Sequence, residues 1–163
     1  MHCSDHQFCS SKGAAGAKVL VIEDDADLQV IFYETLQLRG FQVLLASDGK
    51  IGLWMAEELM PDLIVSDINL PGMNGYEVLK YLRQNSKTAN IPFIFCSGEA
   101  QSDYASKGML LGAKAYLIKP VDVNVLIDTV KAHLVGQDCQ SGGLLVPLVK
   151  TEQVKTEQAD YNK

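Results

Sequence analysis

The sequence predicts a doubly wound α/β domain with a five-stranded parallel sheet and helices on both faces. Two observations support this prediction. Five short runs rich in Val, Ile, Leu and Phe alternate with stretches in which apolar residues recur at helical spacing. The runs are continuously apolar rather than alternating, which is typical of strands covered on both faces, as in a parallel sheet. Because parallel strands need right-handed crossovers, the intervening helices are expected on both faces.

The predicted strands are four to six residues long. They are Lys18–Ile22, Phe41–Ala46, Leu63–Ser66, Ile91–Cys96 and Ala115–Ile118. Cys96, at the end of the fourth run, is interpreted as a small buried apolar residue.

The predicted helices follow the strands in turn. In the first helix one apolar stripe comprises Leu28, Ile31, Phe32, Thr35 and Leu36. Gly40 ends this helix. Asp48 can cap a second helix that runs to Leu59 and stops before Pro61. The remaining helices are Tyr76–Gln84, Ser102–Leu111 and Val123–Val135. Asp122 is the expected N-cap of the last one.

Composition and charge exclude several classes of protein. The chain has 163 residues, 47% of them hydrophobic, and a formal net charge of −6. This charge argues against a nucleic-acid-binding surface, which needs clustered Lys and Arg. No apolar run approaches the roughly 20 residues that span a bilayer, and the N-terminus lacks the apolar stretch of a secretion signal. We therefore expect a cytoplasmic protein that does not bind membranes.

The two ends of the chain differ from the middle. Residues 1–16 are expected to form a flexible head, although four soft ligands there raise a metal-binding alternative: His2, Cys3, His6 and Cys9. Residues 137–163 are expected to be a partly disordered tail that contains a tandem pentapeptide repeat over Val149–Gln158. The apolar segment Leu144–Val149 is a candidate for packing on the domain or docking on a partner. The domain itself is predicted over residues 17–136.

Chemically active side chains follow four of the predicted strands. They are Glu23, Asp24 and Asp25 after the first strand, Asp67 after the third, Ser97 after the fourth and Lys119 after the fifth. Because ligands bind beyond the carboxyl ends of the strands in such sheets, we expect these groups to meet at one edge. Clustered carboxylates repel one another and suit a hard cation such as Mg²⁺. A metal, a carboxylate nucleophile and cationic or hydroxyl donors are the parts that phosphoryl transfer needs.

Five stretches of the sequence strongly resemble the receiver domains of bacterial two-component response regulators. They are Val19–Asp25, Pro61–Asp67, Leu70–Gly75, Phe95–Gly98 and Gly112–Pro120. Their order and spacing also agree with the family, and the resemblance covers about residues 17–136. It implies a flavodoxin-like sheet with strand order 2-1-3-4-5.

The resemblance also implies a role for each matching residue. Asp67 would accept the phosphoryl group, and Glu23 and Asp24 would form the acidic pair of the Mg²⁺ site, with the backbone carbonyl of Asn69 as a further ligand. Lys119 would contact the phosphoryl group, and its peptide bond to Pro120 would be cis. Ser97 would be the Thr/Ser switch residue, and Tyr116 would be the aromatic switch residue that turns inward when the Ser97 hydroxyl moves toward the phosphate.

The partners that the resemblance implies are a histidine kinase or histidine phosphotransfer protein and a downstream target protein, with homodimerisation left open. The chain would be no enzyme beyond catalysing its own phosphorylation and dephosphorylation. Two alternative interpretations of the chain remain. It could be a receiver excised from a hybrid kinase or larger regulator, or an interaction module that works without phosphorylation. A haloacid-dehalogenase-type phosphatase is disfavoured because position 69 is Asn rather than Asp, and an FMN carrier because the acidic turn would repel a phosphate.

Overall fold

A computed structural model describes residues 16–98 and 102–135 of the protein. Strands and helices alternate strictly along this part of the chain. The elements are β1 (Lys18–Ile22), α1 (Ala26–Gln37), β2 (Gln42–Ala46), α2 (Gly49–Leu59), β3 (Leu63–Ser66), α3 (Gly75–Gln84), β4 (Phe93–Ser97), α4 (Ser102–Leu110), β5 (Ala115–Ile118) and α5 (Val123–Val135). Residues 1–15 of the predicted head and the whole predicted tail, 137–163, with its apolar segment Leu144–Val149, lie outside the described residues, so the predictions made for them stay predictions.

The five strands form one parallel sheet in the order β2-β1-β3-β4-β5. The predicted fold class and strand order are therefore confirmed. β2 lies on one side of β1, and β3, β4 and β5 follow in order on the other side. The strand order therefore reverses between β1 and β3, which makes this pair the topological switch point. The register aligns the ends of these strands, since Ile22 pairs with Ser66. The residues that follow, Glu23 and Asp67, consequently leave the sheet side by side.

Both faces of the sheet are buried, as the continuously apolar runs predicted. Successive strand residues point to opposite faces, so Leu20 and Ile22 join the core that α2 and α3 cover, whereas Val19 and Val21 join the core beneath α1 and α5. All four of these side chains are at most 1% exposed. A sheet covered in this way leaves its strand ends as the edges where polar side chains can meet.

Several element boundaries differ from those expected. Strand β4 begins at Phe93 rather than Ile91, because Pro92 has no N–H to contribute to the ladder. Strand β2 begins at Gln42, one residue later than predicted. In α1, Phe32 is buried but Ile31 is 47% exposed, so the expected apolar stripe was too wide.

Helix caps agree with the sequence where a side chain signals them. The Asp48 carboxylate accepts a hydrogen bond from the Ile51 amide, as predicted for the start of α2. Asp122 accepts one from the Asn124 amide at the start of α5. Each helix among the described residues is too short or too polar to span a lipid bilayer.

Candidate functional site

An acidic pocket lies at the carboxyl ends of β1 and β3, at the switch point of the sheet. Carboxylate oxygens of Glu23, Asp24 and Asp67 lie within 4.8 Å of one another. Glu23 is 1% exposed and Asp67 8%, whereas Asp24 is open to solvent. The fold thus brings Asp67 together with the adjacent acids Glu23 and Asp24, more than 40 positions earlier in the chain, and it largely removes Glu23 and Asp67 from water.

Asp25, the third acid of the segment after β1, has a different role. Its carboxylate accepts hydrogen bonds from the amides of Asp27 (2.9 Å) and Leu28 (3.1 Å), and so caps the N-terminus of α1. Capping satisfies two amides that have no partner within the helix. Of the three consecutive acids, only Glu23 and Asp24 are therefore available to the pocket.

The Asp67 carboxylate is held from two sides. One oxygen, Oδ1, accepts hydrogen bonds from the backbone amides of Ile68 and Asn69. The other, Oδ2, accepts a hydrogen bond from the Lys119 ammonium at 2.6 Å. Backbone donors fix the orientation of the group, because they belong to the same loop and have little freedom to move. The pocket consequently presents a carboxylate of defined orientation beside a cation.

The loop that carries Asp67 is tightly packed against the start of α3. A Cβ atom added at Gly75 would collide with the backbone carbonyl oxygen of Asp67. The Gly75 amide donates a hydrogen bond to the carbonyl of Ile68 at 2.9 Å. Only glycine permits this close approach, so Gly75 supports the position of the Asp67 loop. The sequence prediction did not identify this role.

Lys119 bridges the two buried acids. Its ammonium lies 2.7 Å from Glu23 Oε2 and 2.6 Å from Asp67 Oδ2. Burial by itself lowers the pKa of Lys119, but the hydrogen bonds to Asp67 and Glu23 outweigh burial and leave that pKa above its ordinary value. Lys119 therefore stays charged at neutral pH. The Lys119–Pro120 peptide bond is cis, as the resemblance implied.

The raised pKa of Glu23 indicates that the pocket has too little positive charge to balance its carboxylates. Burial raises the pKa of its carboxyl above the usual value, and the hydrogen bond from Lys119 offsets only part of this effect. A single ammonium thus faces three carboxylates and does not fully compensate the burial of Glu23. Carboxylate oxygens are the ligands that Mg²⁺ prefers. The donor set and its excess negative charge fit a hard divalent cation.

Ser97 is the last residue of β4, the strand next to β3. The residue is fully buried, and its Oγ finds no hydrogen-bond partner among the residues described. Its backbone carbonyl accepts a hydrogen bond from the Lys119 amide at 2.9 Å, which places the two residues side by side. A buried hydroxyl without a partner is costly. Such a group is available to donate to a ligand that enters the pocket.

Tyr116 lies further from the acids, on β5. It is half-buried, and its ring centroid is 6.2 Å from that of Phe95 on β4. Phe95 also contacts Tyr76, with ring centroids 5.0 Å apart. The Tyr76 hydroxyl donates a hydrogen bond to the backbone carbonyl of Tyr104 and so ties α3 to α4. An aromatic cluster therefore connects β5 with the helices that follow the pocket.

Gln29 is a second residue that the sequence prediction missed. Its side-chain amide donates to the backbone carbonyl of Glu23 at the exit from β1. A polar residue in the first turn of an amphipathic helix gives no sequence signal of such a contact, because solvent-facing glutamines are common. Only the packing of α1 against the strand ends brings the two together.

Comparison with known proteins identifies relatives of the whole described region. A model of the response regulator receiver domain family matches residues 19–131. The protein PilH of Pseudomonas aeruginosa is 33% identical over 120 residues, which cover 74% of this chain and 99% of PilH. The DNA-binding dual master transcriptional regulator RpaA of Synechocystis is 35% identical over 117 residues, 72% of this chain but only 48% of RpaA.

Solved structures give the same result. The chemotaxis protein CheY4 of Vibrio cholerae superposes with a TM-score of 0.69 at 32% identity, covering 72% of this chain and 98% of that one. The receiver domain of the sensor histidine kinase PA1611 of Pseudomonas aeruginosa, with a magnesium ion coordinated in its active site cleft, has a TM-score of 0.69 at 26% identity. The superposed region covers 74% of this chain and 99% of the PA1611 receiver domain.

Proposed function

The chain belongs to the response regulator receiver domain family, and on this premise we propose that Asp67 accepts a phosphoryl group from phosphohistidine. The donor would be a histidine kinase or a histidine phosphotransfer protein. The observation that carries the proposal is the Asp67 carboxylate, which is oriented by two backbone amides and contacted by Lys119 at the switch point of the sheet. At 8% exposure, it is still in contact with solvent at the edge of the sheet.

The proposed step is a direct transfer of the phosphoryl group. An oxygen of Asp67 forms a bond to phosphorus while the phosphorus–nitrogen bond to the donor imidazole breaks, and the imidazole leaves with the electron pair and takes up a proton. The product is an acyl phosphate on Asp67. The amides of Ile68 and Asn69 hold the carboxylate in one orientation, which lowers the entropic part of the barrier.

Lys119 and Ser97 would stabilise the transferred group. The Lys119 ammonium already contacts Asp67 Oδ2 at 2.6 Å and can pair with a phosphoryl oxygen. The Ser97 hydroxyl can donate to another, which would satisfy a buried group that has no partner in the described part of the chain. We propose that the Ser97 hydroxyl moves toward the phosphoryl group as it donates, and that this movement lets Tyr116 turn inward. Phosphorylation would then be transmitted to the surface formed by residues 102–135.

Glu23, Asp24 and Asp67 are the proposed ligands of Mg²⁺, with the backbone carbonyl of Asn69 as a fourth. The clustering of three carboxylates within 4.8 Å and the raised pKa of Glu23 support this assignment. A bound Mg²⁺ ion would neutralise negative charge on the phosphoryl group during transfer. The magnesium ion in the cleft of the PA1611 receiver domain supports the same choice of metal.

The output that we propose is a changed protein-binding surface that a downstream target recognises in the cytoplasm. The chain would act as a phosphoacceptor that promotes its own phosphorylation and dephosphorylation and catalyses no other reaction. Homodimerisation through the same surface is compatible with this output. The chain spans nearly all of PilH but about half of RpaA. Its use as one module of a larger regulator or hybrid kinase is therefore the alternative that the comparisons keep open.

Labelling with acetyl phosphate, a small phosphodonor, tests the proposal. Intact-mass spectrometry should detect one added phosphoryl group on the wild type in the presence of Mg²⁺ and none after chelation. Asp67→Asn should not be labelled, whereas Asp128→Asn, at an exposed position of α5, should behave as the wild type does. Equal labelling of the Asp67 variant would refute the assignment. A wild type that resists labelling would favour the phosphorylation-independent interaction module.

A further inference from the structure

Gln29 connects the first turn of α1 to the ends of two strands. Its side-chain nitrogen Nε2 donates a hydrogen bond to the backbone carbonyl of Glu23 at 2.5 Å and lies 3.4 Å from the carbonyl oxygen of Ala46. These carbonyls stand where β1 and β2 end. The Glu23 amide in turn donates to the Ala46 carbonyl at 3.0 Å. The half-buried amide of Gln29 therefore closes a compact hydrogen-bonded group directly behind the acidic pocket.

The position of the Glu23 carbonyl controls the residue that follows it. A peptide unit is planar, so a fixed carbonyl also fixes the amide nitrogen and Cα of Asp24. Within the described residues the Asp24 carboxylate forms no hydrogen bond or ion pair that would hold it. Only the backbone therefore fixes the place from which the Asp24 side chain starts. Any freedom gained by the Glu23 carbonyl passes to the carboxylate of Asp24.

The other end of this short segment is already fixed. Asp25 caps α1, and the Gln29 amide nitrogen of the backbone donates to the Asp25 carbonyl at 2.9 Å. Between β1 and this cap, the peptide between Glu23 and Asp24 is the place where the chain could rotate. Gln29 is the side chain that contacts it.

We propose that Gln29 is a positioning residue for the metal site, and that its amide holds Glu23 and Asp24 in the arrangement that binds Mg²⁺. This inference rests on the proposed function of the pocket. Gln29 offers no ligand to the ion and acts through the backbone of the two acids. Partners that orient metal ligands typically contribute about 10- to 100-fold to affinity. Because Gln29 acts one step further away, we expect a loss of about tenfold when its donor is removed.

The test compares Gln29→Met with the wild type and with Gln37→Met. Methionine has nearly the length of glutamine but no donor. Gln37 lies on the same helix and is exposed, and within the described residues its side chain donates only to the Tyr33 hydroxyl. Isothermal titration calorimetry measures the dissociation constant for Mg²⁺, and labelling by acetyl phosphate is followed as Mg²⁺ is raised. Gln29→Met should bind Mg²⁺ about tenfold more weakly and reach the wild-type labelling rate at saturating Mg²⁺, while Gln37→Met should match the wild type.

Other results separate the possible failures. A lower melting temperature with an unchanged Mg²⁺ dissociation constant would overturn the inference and leave Gln29 as a purely structural tie. Should the wild type itself bind no Mg²⁺, the proposed metal site would fail and not only the role of Gln29. If Gln29→Met does not fold by circular dichroism, Gln29→Asn keeps a polar amide that is too short to reach both carbonyls. That variant should then show the weakened Mg²⁺ binding, and wild-type affinity in it would overturn the inference.

Discussion

Replacement of Asp24 by Asn should stabilise the metal-free protein. The Asp24 carboxylate lies within 4.8 Å of oxygens of both Glu23 and Asp67. At that distance two like charges repel by about 0.9 kcal/mol in water and by about 3.5 kcal/mol at an effective dielectric constant of 20. Because Asp24 is exposed, the lower value applies, and two such pairs cost about 2 kcal/mol. Lys119 contacts both Glu23 and Asp67, so its attraction to Asp24 acts over a distance similar to that of each repulsion and offsets about one of the two. We therefore expect a net gain of about 1 kcal/mol.

Magnesium should reverse this order of stability. If the wild type binds Mg²⁺ with a millimolar dissociation constant, ~10 mM of the ion adds about 1.4 kcal/mol to its free energy of unfolding. The Asp24→Asn variant lacks a charged ligand and should gain little. The variant is therefore expected to melt a few degrees above the wild type without Mg²⁺ and at or below it with Mg²⁺, since about 1 kcal/mol corresponds to roughly 4 °C in a domain of this size.

Thermal and urea unfolding followed by circular dichroism, at constant ionic strength with and without Mg²⁺, measure both effects. Asp128→Asn is the matched control, because this exposed acid on α5 lies outside the acidic group. It should change the free energy of unfolding by less than about 0.5 kcal/mol under either condition. A metal-free Asp24→Asn protein that is less stable than the wild type, or one that responds to Mg²⁺ as the wild type does, would refute the electrostatic reasoning.

Three further predictions concern single residues. Burial raises the pKa of Cys96 to about 12, so iodoacetamide at pH 8 should label this thiol only in urea, and peptide mapping that finds it labelled in the folded protein would contradict this. Gly75→Ala should lower the free energy of unfolding by about 1–3 kcal/mol, because the new Cβ meets the Asp67 carbonyl. Gly98→Ala is the control in urea titrations, because an added Cβ there would meet no described atom within 4 Å beyond the neighbouring residues. Burial lowers the pKa of His133, so the stability that neutral His133 contributes is complete above its ordinary pKa of about 6.5 and is lost as pH falls through the lowered value. The free energy of unfolding, measured from pH 8 to 5, should therefore depend less on pH in His133→Gln than in the wild type. Identical pH profiles of the two proteins would contradict this prediction.

The fold could be predicted in considerable detail because its signals are local. Continuously apolar runs locate the strands, and side chains such as Asp48 mark where helices begin. Boundaries were less accurate where a strand depends on its neighbour: β4 begins at Phe93, after Pro92, although the apolar run begins at Ile91. The strand order followed from the family resemblance and not from the pattern, since apolar runs do not specify which strands pair.

The pocket was predicted in part. The resemblance selected Glu23, Asp24, Asp67 and Lys119, and the structure brings these four side chains together. Charge alone could not identify Asp25 as a helix cap, because three consecutive acids look equivalent in a sequence. The phosphoacceptor and switch roles remain proposals, since they concern a reaction rather than a position.

By itself the sequence determined the fold class, the order of the elements and the chemical types of the groups at the strand ends, because each depends on neighbouring residues along the chain. Tertiary structure alone decided which groups meet. Lys119 contacts Glu23 from 96 positions away in the chain, and Gln29 reaches the Glu23 carbonyl only through the packing of α1. It also decided that the Ser97 hydroxyl is buried without a partner among the described residues. Distances and burial of this kind arise when separate elements pack and exclude water, and no local pattern encodes them.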